Sequence, residues 1–200
     1  QNLNIYYEDT QISPKEMLEI IKNKEFSRFP ENMAGAAREA YETLLHTGDG
    51  QLCDVIIDRA ALDAIYAAGE AAKDSIIKEY AESVVAIADI KIAVRSQKTA
   101  KTIEFMKRAM APCKSINVDQ LAKAAAAGME AVTEYLFGTA YAEGGQAIAE
   151  SSSAFERWCD NRMMQAMQPQ KYESFSVGPL VAYVLARENE IKTVRIILSG

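Results

Sequence analysis

The chain offers few residues of the kinds that catalyse reactions, and they lie far apart. His46 is the single histidine, and Glu42, four residues earlier, has the wrong spacing for the Glu-x-x-His motif of di-metal helical proteins. The three cysteines, Cys53, Cys113 and Cys159, form no CxxC pair. Neither standard glycine-rich phosphate loop occurs, and there is no Gly-x-Ser-x-Gly turn. We therefore expect no catalytic residues, no cofactor and no metal site.

Simpler structural roles suit the same side chains. His46 stands near a predicted helix end, where a cation interacts well with the last carbonyl groups. Cys53, Cys159 and Trp158 occupy helical positions beside apolar residues, so we expect them to fill the core. An odd number of widely spaced cysteines argues against a disulfide framework and indicates a reducing compartment.

Length and charge narrow the class of protein further. The 200 residues are 49% hydrophobic and 25% charged, with a formal net charge of −6. This composition excludes global disorder, and the acidic balance without a basic cluster argues against nucleic acid as a partner. No run of 18 apolar residues and no secretory signal is present, so we expect no direct membrane span.

The pattern of caps, breakers and apolar positions predicts an all-α fold. Ser13-Pro14-Lys15-Glu16 is a helix start, and Gly48 suits the end of a second helix. Apolar residues three and four apart between 76 and 94 predict a long helix with one buried stripe. No alternating strand pattern appears. The predicted helices cover about 13–24, 30–47, 51–68, 72–98, up to 110, 118–127, 154–167 and 179–198, with Gly144-Gly145 interpreted as a turn.

The two halves of the chain repeat each other. Leu18 corresponds to Leu121, Asp58 to Asp160, and Ile90-Lys91 to Ile191-Lys192, so the separations are 103, 102 and 101 residues. A separation that drifts by one residue at a time is expected of two copies that have lost single residues. The sequence therefore predicts two similar helical units of about 100 residues, 1–110 and 111–200, joined near Met110–Ser115.

Charged residues in the middle of the long helices are candidates for structural or interface contacts. Glu188, Lys192 and Arg195 lie in a C-terminal helix that is apolar on both sides of them. Because an unpaired buried charge is too costly, this face must meet water or partner charges.

The first repeat carries matching charges. Glu82, Asp89, Lys91 and Arg95 occupy its long helix. Asp58, which is repeated as Asp160, is interpreted as a structural acid that pairs with a repeated cation, either Arg95 or Lys91. We treat all seven repeated or mid-helix charges as candidates: Asp58, Lys91, Arg95, Asp160, Glu188, Lys192 and Arg195.

The C-terminal stretch resembles a known family. Residues 178–198, GPLVAYVLARENEIKTVRIIL, are similar to the C-terminal signature of a central-stalk component of V-type (A-type) rotary ATPases, namely the C subunit, whose eukaryotic V-ATPase counterpart is the d subunit. Asp54-Val-Ile-Ile-Asp58 and Phe137-Gly-Thr-Ala-Tyr141 also resemble family segments. Residues 90–95 resemble the family's Asn-Ile-Lys-Thr-Leu-Leu-Arg pattern, with Asp89 in place of the asparagine.

This resemblance implies a mechanical role. The family consists of three similar helical units that form a socket on the membrane rotor ring, and the shaft subunits plug into it. Two units here imply that the first is missing from this fragment. The resemblance implies a non-catalytic component that links shaft to ring and couples ATP hydrolysis or synthesis to proton or sodium transport. It also implies a cytoplasmic location, peripheral to the membrane.

Two other classes of protein remain open from the residues alone. One is a two-repeat helical scaffold or adaptor with an unrelated protein partner. The other is an all-helical enzyme that needs only carboxylates and a bound cation. Such an enzyme would show clustered acids on facing helices, whereas Asp54, Asp58 and Asp63 lie on one predicted helix.

Overall fold

The computed structural model describes residues 11–167 and, near the C-terminus, residues 179, 180, 183, 184, 186, 187, 190, 191 and 194. The described part of the chain is all-α and contains no strand, which confirms the predicted fold class. Its helices are α1 (Pro14–Asn23), α2 (Glu31–Thr47), α3 (Gly50–Ala71), α4 (Ser75–Lys98), α5 (Ile103–Ala109), α6 (Val118–Ala127), α7 (Met129–Phe137), α8 (Ala142–Glu150) and α9 (Ser152–Met167). A short 3-10 helix, Phe26–Arg28, follows α1.

Helix ends lie where the local chemistry predicts them. The Ser13 side chain accepts a hydrogen bond from the Glu16 amide, and Pro14 occupies the first helical position. Asn117 caps α6 in the same way through the Gln120 amide. Gly48 ends α2 with a φ of 68°, a left-handed conformation that glycine adopts without a steric cost.

The chain divides into two compact units, residues 1–61 and 62–200, and the division falls inside α3. The first unit contains α1, the 3-10 helix, α2 and the first part of α3. Ile20, Phe26, Ala40 and Ile56 are its buried apolar residues among those described. The Phe26 and Tyr41 rings pack with their centroids 5.4 Å apart.

The second unit is built around α4. Helices α5, α6, α7 and α9 all contact α4, and α8 packs between α7 and α9. Its core joins Ile90, Met106, Leu121, Leu136 and Trp158 in one cluster. Residues on most sides of α4 are buried, including Val85, Ala86 and Asp89. The prediction of a single buried stripe is therefore wrong, because neighbouring helices cover α4 from several directions.

Another prediction fails at Gly144-Gly145, which belong to α8 rather than to a turn. A Cβ on Gly144 would lie 2.6 Å from the Trp158 ring, and one on Gly145 would lie 3.0 Å from the Thr133 carbonyl oxygen. These glycines serve close packing of the helix against its neighbours, which local sequence does not reveal.

The predicted junction near Met110–Ser115 begins inside the core of the second unit, where Met110 and Ala111 are fully buried. Compactness and internal repetition are different properties. The repeat units 1–110 and 111–200 therefore stay a prediction, as does the resemblance between them.

Candidate functional site: a side-chain-held strap and a charged cleft

Two acidic residues of α4 hold the segment that follows α5. Glu82 and Asp89 are seven residues apart, almost two full turns, so they lie on one face of the helix. The Asp89 side chain is fully buried, and its Oδ1 accepts a hydrogen bond from the Ala111 amide at 2.9 Å. We name residues 111–117 the strap.

The other end of the strap is held by Glu82. Its Oε1 accepts hydrogen bonds from the Ser115 amide at 2.8 Å and from the Ser115 hydroxyl at 2.6 Å. Its Oε2 accepts a longer bond from the Lys114 amide at 3.3 Å. Burial alone would raise the pKa of Glu82, but the hydrogen bonds from Ser115 and Lys114 hold it below its ordinary value.

Further side chains complete the support of the strap. The Asn117 amide donates to the Tyr135 hydroxyl at 2.8 Å, and the Ser115 and Tyr141 hydroxyls lie 3.1 Å apart. Lys114 Nζ donates to Glu70 at 2.7 Å, near the C-terminal end of α3. The pKa of the Tyr141 hydroxyl is raised, mainly because burial disfavours its charged form.

A charged cleft of about 610 Å³ opens beside the strap. Acidic, basic and hydroxyl side chains line it together. The Arg162 guanidinium lies 5.6 Å from the centre of the Tyr141 ring, a cation–π distance. Its lining includes Glu70, Lys78, Glu79, Glu82, Lys114 and Arg162. Acids and bases here are balanced, and several contact one another, so the cleft carries no strong charge of one sign.

Cys113 and Cys159 are poor nucleophiles, because burial disfavours their thiolate forms. Burial raises the pKa of Cys113 to about 11 and that of Cys159 to about 12. Cys159 is fully buried, as predicted, whereas Cys53 is half-buried and donates to the Ala40 carbonyl oxygen. Within residues 11–167 and the described C-terminal positions, no group of three or more histidine, cysteine or acidic side chains could hold a metal ion.

The predicted charges fall into different places. Lys91 Nζ lies 3.3 Å from Glu156 Oε2, and Arg95 lies 3.9 Å from the same carboxylate, so these two cations of α4 face α9. Asp160 is half-buried on α9, and Asp58 is exposed on α3. Glu188, Lys192 and Arg195 lie outside the described residues. The assignment of all seven to structural or interface contacts stays a prediction.

Sequence reasoning found the α4 charges but not their partners. It required that mid-helix charges meet water or other polar groups, and Glu82 and Asp89 do so. Their partners, the Ala111 and Ser115 amides, lie 22 and 33 residues away in the chain. No periodic pattern connects positions at such separations.

The first unit carries a different feature, an apolar groove of about 670 Å³. Side chains from α1, the 3-10 turn, α2 and α3 line it. They include Met17, Ile21, Phe29, Met33, Leu44 and Ile57. Met17, Ile21 and Leu44 are each about two-fifths to one-half exposed (40%, 38% and 47%), and because all three line the same groove they expose apolar surface as a patch.

A comparison with known families decides the assignment. The family model described as ATP synthase (C/AC39) subunit matches residues 2–200. The chain belongs to this family. The match confirms the resemblance that the C-terminal stretch suggested. No curated protein and no solved structure matched the chain.

Membership places the chain among the subunits of V-type ATP synthases that are structural rather than catalytic. None of the helices in the described part of the chain is long and apolar enough to cross a membrane.

Proposed function

We propose that the chain is a non-catalytic central-stalk subunit that links the rotating shaft of a V-type ATPase to its membrane rotor ring. In this role it couples ATP hydrolysis or synthesis to the transport of protons or sodium ions. The single observation that carries the proposal is the family match, which spans residues 2–200. The proposal includes a cytoplasmic location, peripheral to the membrane.

The architecture of the second unit supports this role. A linking subunit has to transmit force without yielding, and a close-packed core has low compressibility. Helix α4 is buried on most sides, and its charges bridge to α9 and to the strap. Contacts of this kind stiffen the relation between helices rather than prepare a reaction.

The direct test is co-purification. The chain would be co-expressed with the shaft subunits and the ring subunit of the same ATPase, then isolated through a tag and passed over gel filtration. We expect a stoichiometric complex, and no ATP hydrolysis by the isolated chain. If the chain elutes apart from both shaft and ring, the proposal is overturned, and a helical scaffold or adaptor with an unrelated partner becomes the better explanation.

A matched pair of charge reversals would locate the interface. Arg95 is 71% exposed and is one of the predicted interface charges. We expect Arg95→Glu to weaken the complex, whereas the exposed Lys73→Glu serves as a control of equal charge change. Fluorescence of Trp158, the single tryptophan, reports whether each variant keeps its folded second unit. Equal weakening by both variants would remove Arg95 from the interface.

A further inference from the structure

The strap differs from an ordinary loop in what its main chain bonds to. The Ala111, Lys114, Ser115 and Asn117 amides donate to side chains, namely those of Asp89, Glu82 and Tyr135. The buried Ala111 and the half-buried Ser115 need such partners because their amides have lost hydrogen bonds to water. The conformation of the strap therefore depends on a few side chains that can change state.

The parts of the strap are held unequally. Ala111 and Ile116 are buried in the core, and the Asp89 side chain that binds Ala111 is fully buried. Between them, Pro112 and Lys114 are exposed, and Cys113 and Ser115 are half-buried. Cys113 packs against the core, whereas the Lys114 and Ser115 amides are held by hydrogen bonds to Glu82. The main-chain position at Lys114 and Ser115 therefore depends on the Glu82 carboxylate.

We propose that the middle of the strap, residues 112–115, is released by acid: it opens locally when Glu82 gains a proton, while the core of the second unit stays folded. A charged carboxylate accepts hydrogen bonds that are about twice as strong as those to a neutral group. Protonation removes that charge and turns one acceptor oxygen into a donor, so that either Oε2 opposes the Lys114 amide or Oε1 opposes the Ser115 amide. This inference is independent of the role in a rotary ATPase.

The direction of the pH effect follows from linkage. In the closed strap the pKa of Glu82 lies below its ordinary value, and in the open strap the carboxyl faces water. The open form therefore binds a proton more readily, and falling pH shifts the population towards it. The closed form is favoured above the ordinary pKa range of a glutamate.

Neighbouring groups on every packed element influence this balance. The titratable and charged groups near Glu82 come from three places. Helices α3 and α4 contribute Tyr66, Glu70, Lys78 and Glu79. The strap contributes Cys113 and Lys114, and the chain after the strap contributes Tyr141 and Arg162. The Lys114 ammonium is bound to Glu70, which supports the closed form while both are charged. Glu79 lines the same cleft without a bond to the strap among the described contacts, so it provides a matched control.

Amide hydrogen exchange followed by mass spectrometry tests the proposal. At neutral pH we expect Glu82→Gln to raise the exchange rate of peptides covering 112–115 by about tenfold or more, while Glu79→Gln leaves it unchanged. Peptides from α4 and α9 should keep their protection in both variants. Unchanged strap exchange in Glu82→Gln would overturn the proposal, and so would loss of protection in α9 together with the strap.

The unaltered chain provides the second measurement. Exchange would be followed from about pH 6, above the ordinary pKa of a glutamate, to about pH 3, below it, because a lowered pKa keeps the strap closed until the pH falls below the ordinary value. The rates would be corrected by the intrinsic rates of an unstructured peptide of the same sequence. We expect the protection of 112–115 to fall across this range before that of α9 changes, with a flat profile in Glu82→Gln. A strap that keeps its protection to the same pH as α9 would contradict a local opening.

Discussion

The two compact units contain similar apolar side chains but bury them to different extents. In the second unit, Ile90, Leu121 and Leu136 are fully buried in one cluster. In the first, Ile20 and Phe26 are buried, but Met17, Leu44 and Leu45 are substantially exposed, and Met17 and Leu44 line an open groove. Since burial of apolar surface is the main favourable contribution to folding, the second unit should be the more stable one.

The difference shows that apolar content alone does not determine a core. What matters is whether neighbouring helices cover each face. Helix α4 is covered by α5, α6, α7 and α9, whereas α1 and α2 meet chiefly through the short 3-10 turn. The effect of this difference on stability can be measured by making the same type of substitution in each of the two units.

Replacing one leucine by alanine in each unit should give the largest difference in the free energy of unfolding. Leu136→Ala leaves a cavity in the second core, and we expect a loss of about 2–5 kcal/mol in the free energy of unfolding. Leu45, which is 63% exposed, should tolerate the same change within about 0.5 kcal/mol. Urea denaturation followed by circular dichroism, with Trp158 fluorescence for the second unit, measures both.

Equal losses in the two variants would mean that Leu45 is covered in solution and that the first unit has a closed core of its own. A loss at Leu136 below about 1 kcal/mol would mean that the second core relaxes into the cavity.

Replacing one glycine by alanine in each unit should change the stability in opposite directions. Gly144→Ala places a Cβ within 2.6 Å of the Trp158 ring, so we expect a destabilisation of about 1–3 kcal/mol. Gly35 lies inside α2, and no atom lies within 4 Å of a Cβ added there. Because alanine favours helix over glycine, Gly35→Ala should stabilise α2 by about 0.5–1 kcal/mol.

Thermal unfolding and hydrogen exchange of the α2 peptides distinguish these two effects. If Gly144→Ala is neutral, the tryptophan ring must move aside freely, and the close packing of α8 on α9 is not what requires glycine. If Gly35→Ala destabilises, the open side of α2 is covered in solution.

Much of the secondary structure could be predicted because it depends on neighbours in sequence. Ser13, Asn117 and Gly48 mark helix ends through hydrogen bonds and backbone conformations within a few residues. The same local reasoning was wrong for Gly144 and Gly145, which it placed in a turn. A glycine pair is usual in turns, but here both positions serve the approach of α8 to Trp158 and to the Thr133 carbonyl oxygen, which are distant contacts.

For the candidate site, the sequence predicted which charged residues of α4 need polar partners, but not which groups those partners are. The rule that buried charge needs a partner drew attention to Glu82 and Asp89, and it is fulfilled by the amides of the strap. It could not name those amides, since any main-chain N–H can serve. The predicted partner of Asp58 stays a prediction for the same reason, because an exposed carboxylate on α3 has many ways to be satisfied.

The smallest expected effect concerns the charges between α4 and α9. Lys91 is 24% exposed and 3.3 Å from Glu156, whereas Arg95 is 71% exposed and 3.9 Å away. A double-mutant cycle of Lys91→Met with Glu156→Gln should give a coupling of about 0.5–1 kcal/mol, and one of Arg95→Met with Glu156→Gln should give about zero. The Lys91 coupling should weaken at about 1 M salt, where screening acts over about 3 Å.

The same cycle design compares the two units directly. Asp58 belongs to the first unit, and its predicted pairing with Lys91 or Arg95 would connect it to α4 of the second. Coupling of Asp58→Asn to Lys91→Met as large as that of Glu156→Gln would support the repeated acid–cation pair. Coupling to Glu156 alone would assign Lys91 to the α4–α9 contact, where its ammonium lies 3.3 Å from the Glu156 carboxylate, and the predicted pairing of Asp58 with Lys91 would then be wrong.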